Sequence, residues 1–132
     1  MTPAQLSAQY LAYIACLNAQ DWPNLGQFVD DSVRHNGTWL GVAGYQAMLE
    51  HDYRTIPDLR FNVGLLVAEP PVVAARLLFD CSPQGPFLGL DTTGRRVQFS
   101  EHVFYTFAAG KITEVHSLLD KTALEQALAA PG

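Results

Sequence analysis

Cysteine is scarce in this chain of 132 residues: Cys16 and Cys81 are too few and too far apart for a zinc pattern or a disulfide framework, and each reads as a small core thiol. Positive charge is scarce too, with 8 Lys and Arg against 13 Asp and Glu and a formal net charge of −5. A surface of that sign repels phosphate backbones, and no basic cluster interleaved with aromatics offsets it, so no nucleic-acid partner is expected. Long apolar runs are missing, none approaching the ~20 residues a bilayer requires, so no membrane partner is expected either. The first residues lack the basic start and apolar run of an export signal, and the expected location is the cytoplasm. Among the four histidines there is no i,i+4 pair and no His-x-His spacing, so no metal is expected.

Apolar residues are plentiful. They make up 48% of the chain against 16% charged, a composition that fits one globular domain over residues 1–132 with a sizeable interior. Thr2 and Pro3 open a helix to about Gln20, on which Leu6, Tyr10, Tyr13, Ile14 and Leu17 share a face. A short helix over Trp22 to Phe28, capped by Asp21, leads into a strand from Val29 to Asn36 and a corner before Trp39. Asn36-Gly37-Thr38 matches a glycosylation sequon but reads as turn chemistry. From Val42 to Ile56 the spacing is helical again and Pro57 stops it. Its stripe of Tyr45, Met48, Leu49, Tyr53 and Ile56 includes a carboxylate, Asp52, either aimed inwards or reaching solvent at a frayed helix end. His51 falls off that stripe, at the surface.

The second half alternates with the period of strands. Phe61, Val63, Leu65 and Val67 mark one strand, and Glu69-Pro70-Pro71 turns it. Val73, Ala75, Leu77, Phe79 and Cys81 form the apolar face of the next, whose mixed face pairs Arg76 with Asp80. Ser82 to Gly94 reads as an irregular loop suited to a lid, with an edge segment around Phe87 and Leu88. Arg95 to Phe107 sets Val97, Phe99, Val103, Tyr105 and Phe107 against Arg96, Gln98, Ser100, His102 and Thr106. Ala108 to Lys111 turns the chain into a last strand, Ile112 to Leu119, before a terminal helix from Lys121 to Ala130. Helices first and antiparallel strands after make an α+β architecture, with helices on one side of a sheet.

The stretch from Gly94 to Asp120, with Gly-Arg-Arg-Val-Gln-Phe, Ala-Gly-Lys-Ile-Thr-Glu-Val-His and Ser-Leu-Leu-Asp, resembles the SnoaL-like polyketide cyclase branch of the NTF2-like superfamily. Phe28-Val29-Asp30-Asp31-Ser32-Val33 with His35, the Leu40 to Tyr45 helix opening, and Pro57-Asp58-Leu59-Arg60-Phe61 follow the same family in the same order. The resemblance implies an NTF2-like (cystatin-like) cone, a curved antiparallel sheet with N-terminal helices around an apolar pocket, often paired as a homodimer and using no cofactor. It implies ring closure by intramolecular aldol condensation on a small hydrophobic molecule, with Asp120 as general acid and base. Where the family carries a tryptophan four residues before that aspartate, this chain has His116.

On strand parity Glu114, His116, Leu118 and Asp120 point the same way, so Asp120 and His116 can share a site. His35 is the third catalytic candidate. Tyr10, Tyr13, Asn36 and His35 are candidate donors to an enolate oxygen, and His102 a candidate polar partner. Asp52, Trp39 and Phe87 complete the expected substrate-binding set. Competing readings stand beside these: Asp120 capping the terminal helix, the tyrosines as core, Trp39 and Phe87 at a dimer contact. A ketosteroid-isomerase-like proton shuttle, an epoxide-hydrolase-like Asp-Arg-Asp set using Arg76 and Asp80, and a non-catalytic binding or dimerisation module are the alternative functions.

Overall fold

The computed structural model describes residues 1–129. Helix α1 (Pro3–Asn18) opens on a reciprocal cap in which the Gln5 amide donates to the Thr2 hydroxyl while the Thr2 amide donates to the Gln5 side chain. A 3-10 turn (Trp22–Gln27) follows, without the side-chain hydrogen bond expected from Asp21. Strand β1 (Val29–His35) then turns through Asn36 and Gly37, both at positive φ, into the short β2 (Thr38–Trp39). Helix α2 (Gly41–Thr55) comes next, followed by β3 (Asn62–Glu69) and β4 (Val72–Cys81). A two-stranded ribbon, β5 (Pro86–Phe87) and β6 (Leu90–Asp91), occupies the loop in which an edge segment was expected. Strands β7 (Val97–Ala108) and β8 (Lys111–Leu119) and helix α3 (Lys121–Ala129) complete the chain; the expected helix end, Ala130, lies outside the described residues.

The main sheet runs β2-β1-β8-β7-β4-β3, antiparallel throughout except for the parallel pair β1 and β8. Its inner face buries Val73, Leu77, Val97, Val103 and Val115 beneath α1 and α2, which contribute Leu6, Leu17, Tyr45 and Leu49. Cys16 and Cys81 are buried free thiols.

Three polar stitches fix the helices over the sheet. The Asn18 side chain donates to the Phe61 carbonyl at 2.9 Å and accepts from its amide at 2.8 Å, clamping the end of α1 to the start of β3. The Tyr53 hydroxyl donates to the Leu17 carbonyl at 2.7 Å, which ties α2 to α1. The Gln84 amide donates to the Thr55 carbonyl at 2.7 Å, anchoring the long loop at the end of α2. Each gives a backbone carbonyl or amide at the end of an element a partner within the protein.

Strand β8 carries a local irregularity with large consequences. Thr106 of β7 pairs with Glu114 and Phe107 with Ile112, which leaves Thr113 as an extra residue on β8. One extra residue reverses the alternation, so Ile112 and Val115 both face inwards. Beyond the bulge Val115 and Ser117 lie on the concave side, and of the set expected to line a site Glu114 and His116 lie on the convex one, while Leu118, 73% exposed, follows their parity and borders the rim of the cleft.

The start of α2 depends on Gly41. Its φ is +66°, and a Cβ built there would lie 3.0 Å from the Trp39 ring and 3.2 Å from Asp31 Oδ1, the atom that accepts the Val42 amide. A Gly41→Ala chain is therefore expected to lose about 1–2 kcal/mol of stability, read from its urea unfolding midpoint.

Candidate functional site

The concave side of the sheet and the inner face of α2 enclose a cleft of about 500 Å³. Helix α2 supplies Tyr45, Met48, Leu49 and Asp52 to it, one stripe at helical spacing. Strand β7 supplies Glu101, Val103 and Tyr105, and β8 supplies Val115, Ser117, Leu118 and Leu119. Tyr13 projects from α1, while His35, Asn36 and Lys121 stand at the polar end. A smaller chamber of about 70 Å³ adjoins it, walled by Ile56, Leu59, Phe61, Phe79, Phe87 and Phe99. Asp52, Phe61, Glu101 and Leu119 line both spaces, so two carboxyl groups stand where the chambers meet.

Both carboxyls are shifted towards their neutral forms. Burial raises the Asp52 pKa to about 6, against a small opposing pull from His51. Burial also raises Glu101; a hydrogen bond from Ser117 opposes this, and the charge of Asp52 adds to it. The Ser117 hydroxyl donates to Glu101 Oε2. Asn36, in the left-handed conformation, accepts the Ser117 amide at 2.8 Å and donates to the Ser117 carbonyl at 3.2 Å. The turn after β1 thus holds the residue that holds Glu101.

Three tyrosines, Tyr13, Tyr45 and Tyr105, line the same cleft. The Tyr13 and Tyr45 hydroxyls are 2.7 Å apart, and the Tyr10 hydroxyl donates to that of Tyr105 at 3.3 Å. Burial pushes all four pKa values far up, so the phenols stay neutral donors. A pair of mutually bonded hydroxyls has two protons and consumes one, leaving one for a ligand oxygen. His35 is pushed down, first by burial and then by the charge of His116, and is a neutral imidazole near pH 7.

The sequence-derived candidates divide between the cleft and the rest of the molecule. Tyr13, His35, Asn36 and Asp52 meet in it, and Phe87 walls the inner chamber. Tyr10 is fully buried in the core and lines neither space. Asp120 lies elsewhere: its Oδ1 accepts the Ala123 amide at 3.0 Å, capping α3, and its side chain borders a groove with Arg76 and Gln98. His116 is exposed on the convex face, 3.4 Å from Glu114, because of the bulge. His102 is on that face too, 3.4 Å from the Ser100 hydroxyl. Trp39 is 59% exposed and outside both chambers. Arg76 does not pair with Asp80, whose carboxylate is taken by Arg96 at 2.6 Å, since β4 and β7 set Asp80 opposite Gln98 and within reach of Arg96. Glu101 escaped sequence reasoning, although its parity with Phe99, Val103 and Tyr105 places a carboxylate on an otherwise apolar strand face.

The fold has close counterparts. The sequence signature of SnoaL-like polyketide cyclases matches residues 7–128. The chain belongs to the SnoaL-like polyketide cyclase family. A SnoaL-like polyketide cyclase from Agrobacterium tumefaciens is 52% identical, with a TM-score of 0.92 over 94% of this chain and 98% of that one. Two further structures share the fold at lower identity. TsrD from Streptomyces laurentii is 23% identical with a TM-score of 0.83, covering 99% of both chains. IdmH from Streptomyces antibioticus is 18% identical with a TM-score of 0.81, covering 96% of this chain and 99% of its own. No curated protein matches the chain. The fold is that of the SnoaL and NTF2-like proteins, a curved mixed sheet with helices on its concave side. In this family member, no group of three or more His, Cys, Asp or Glu side chains among the described residues is arranged to hold a metal ion. No helix among them is long and apolar enough to cross a membrane.

The raised Asp52 pKa has a cost in stability. Between the unfolded value of 3.8 and about 6 the unfolded chain ionises while the folded one keeps its proton, so stability falls as pH rises through that window. Asp52→Asn is therefore expected to unfold at higher urea than the parent at pH 7.5, by the order of 2 kcal/mol, with the gain gone below pH 4. Equal gains at both pH values would mean that desolvation of the charge is not the cause.

Proposed function

We infer that the protein is an acid-base enzyme acting on a small hydrophobic carbonyl compound, with intramolecular aldol ring closure as its reaction. The observation that carries this reading is the pair of half-buried carboxyls, Asp52 and Glu101, at the junction of the two chambers in a cleft also lined by Tyr13 and Tyr45, whose hydroxyls are bonded to each other. The two carboxyls have unlike surroundings, as acid and base must. Burial raises Glu101, the Ser117 hydroxyl opposes that rise by bonding its charged form, and Glu101 is assigned as the base. Asp52 keeps its proton up to about pH 6 and is the acid.

In this mechanism Glu101 takes a proton from the carbon beside a carbonyl, and the spare proton of the tyrosine pair bonds the enolate oxygen. The enolate carbon attacks a second carbonyl carbon of the same molecule, forming the carbon–carbon bond and an alkoxide. Asp52 gives its proton to that alkoxide. The proton on Glu101 then returns to Asp52 through solvent or the product, which restores both groups. Activity depends on a charged Glu101 and a protonated Asp52, so it falls as pH rises above about 6.

The proton-abstraction half can be read without the natural substrate. Propiophenone in D2O is expected to lose its α-proton NMR signal faster with the protein than in buffer. Glu101→Gln should slow that exchange at least ~100-fold and Tyr45→Phe ~10- to 100-fold. If Glu101→Gln binds the ketone and exchanges it at the parent rate, the acid-base reading fails and a ligand-binding module takes its place.

The chain is also proposed to act as a homodimer joined through the convex sheet face. That face exposes Leu65, Val67, Leu78, Phe104 and Leu118, with Phe104 57% and Leu118 73% accessible, an apolar patch of the kind that pairs with a copy of itself. Sedimentation velocity should show a dimer, and Phe104→Asp combined with Leu118→Asp should give a folded monomer. A monomeric parent at high concentration would overturn this pairing.

A further inference from the structure

The inner chamber is unlike the cleft it opens from. Its walls are aromatic and aliphatic, and its polar groups are the two carboxyls at its mouth. Phe79 and Phe99 stack at 5.2 Å with 28° between their planes, Phe61 meets Phe79 edge-on at 5.6 Å, and Phe87 leans on Phe99 at 5.5 Å. Three of these rings ride on β4, β7 and the entry to β3, so the back wall is as rigid as the sheet. A hollow with such walls favours apolar groups over polar ones. Size then decides which: a cavity of about 150 Å³ holds benzene, and this one of about 70 Å³ has room for roughly half as many carbons.

We propose that the inner chamber is a specificity subsite for a short unbranched or once-branched aliphatic group of about three carbons, carried by the carbon that loses its proton. The position of that reacting carbon, between Asp52 and Glu101, rests on the acid-base reading; the size and polarity of the subsite do not. The substrate class that follows is a carbonyl compound with a short alkyl end. The alkyl end enters the chamber, the reacting carbon lies at its mouth, and the larger, more polar remainder occupies the outer cleft, within reach of the tyrosine hydroxyls and the Asn36 end. A ring at that end is excluded by volume. A methyl group leaves the chamber mostly empty and forgoes about fourfold in affinity for each missing methylene.

The test uses alkyl phenyl ketones from acetophenone to octanophenone, with dissociation constants read by titration and contact read from the methyl NMR signals of Ile56 and Leu119. Affinity is expected to tighten about fourfold per added carbon until the group beyond the α-carbon holds about three, then to weaken. Leu59→Ala should move the optimum to a chain one or two carbons longer, and Phe87→Trp should move it shorter. Leu59 and Phe87 are half-buried wall residues, so two independent changes report on the volume. Affinity that keeps tightening to octanophenone in parent and Leu59→Ala alike, Ile56 and Leu119 signals that do not move, or failure of every ketone to bind would each overturn the subsite. Glu101→Gln separates the two readings, because it should keep the chain-length optimum while losing α-proton exchange. An optimum without exchange in the parent sinks the chemistry and leaves the subsite standing, and exchange without an optimum does the reverse.

Discussion

Two carboxyl groups, on Asp52 and Glu101, are carried into a space whose other surfaces are largely phenol, phenyl and aliphatic. Taking a carboxylate out of water is costly, and the fold manages it in two different ways. Glu101 sits mid-strand on β7, where the neighbouring β8 offers the Ser117 hydroxyl across the ladder, and its negative form has a donor. Asp52 sits in the last turn of α2, and its pKa rises until the neutral form carries most of the burden. The rest of the cleft is arranged around that asymmetry. Asn36 holds Ser117 by both backbone groups, and Tyr53 and Thr55 hold the end of α2.

The tyrosines and the imidazole of the cleft stay uncharged. The tyrosines cannot ionise in place, and His35 is held in its neutral form. Lys121 is the one cation among the described lining residues, and it stands exposed at the polar end. A ligand therefore meets hydrogen-bond donors without meeting a fixed positive charge in the interior. Such a site gains most from a group that becomes negative only during reaction, as an enolate oxygen does, because donors that suit the transition state do not overbind the ground state.

Much of this was legible in the sequence, and the failures have physical causes. The apolar stripe of α2 placed Asp52 on its inner face, and the residues from Gly94 to Asp120 carried the family. The alternation of β7 contained Glu101 in plain view, on the same parity as Phe99 and Val103. What misled was β8. Its parity counted from Ile112 sends Glu114, His116 and Asp120 inwards, and a single extra residue at Thr113, invisible to a two-residue period, turns them out. Tyr10 and Tyr13 show the other kind of ambiguity. Both belong to the buried stripe of α1, and three residues of helix separate a ring that lines a cleft from one that fills the core.

Asp120 and Glu101 are closer in the fold than in the sequence. Leu119 is the cross-strand partner of Glu101, and the Asp120 amide donates to the Ser100 carbonyl at 2.9 Å, so the two acidic residues occupy adjacent register positions on neighbouring strands. Phe99 lines both the inner chamber and the groove that Asp120 borders, and separates the two spaces. The resemblance had put the acid-base carboxylate at the end of the last strand. The cleft is lined by Glu101 one strand over, and Asp120 caps α3. Under the proposed chemistry a sheet with this curvature and aromatic floor can take its carboxyl group from either strand, since the reacting atoms respond to where a carboxyl group stands and how dry it is, and not to which strand delivers it.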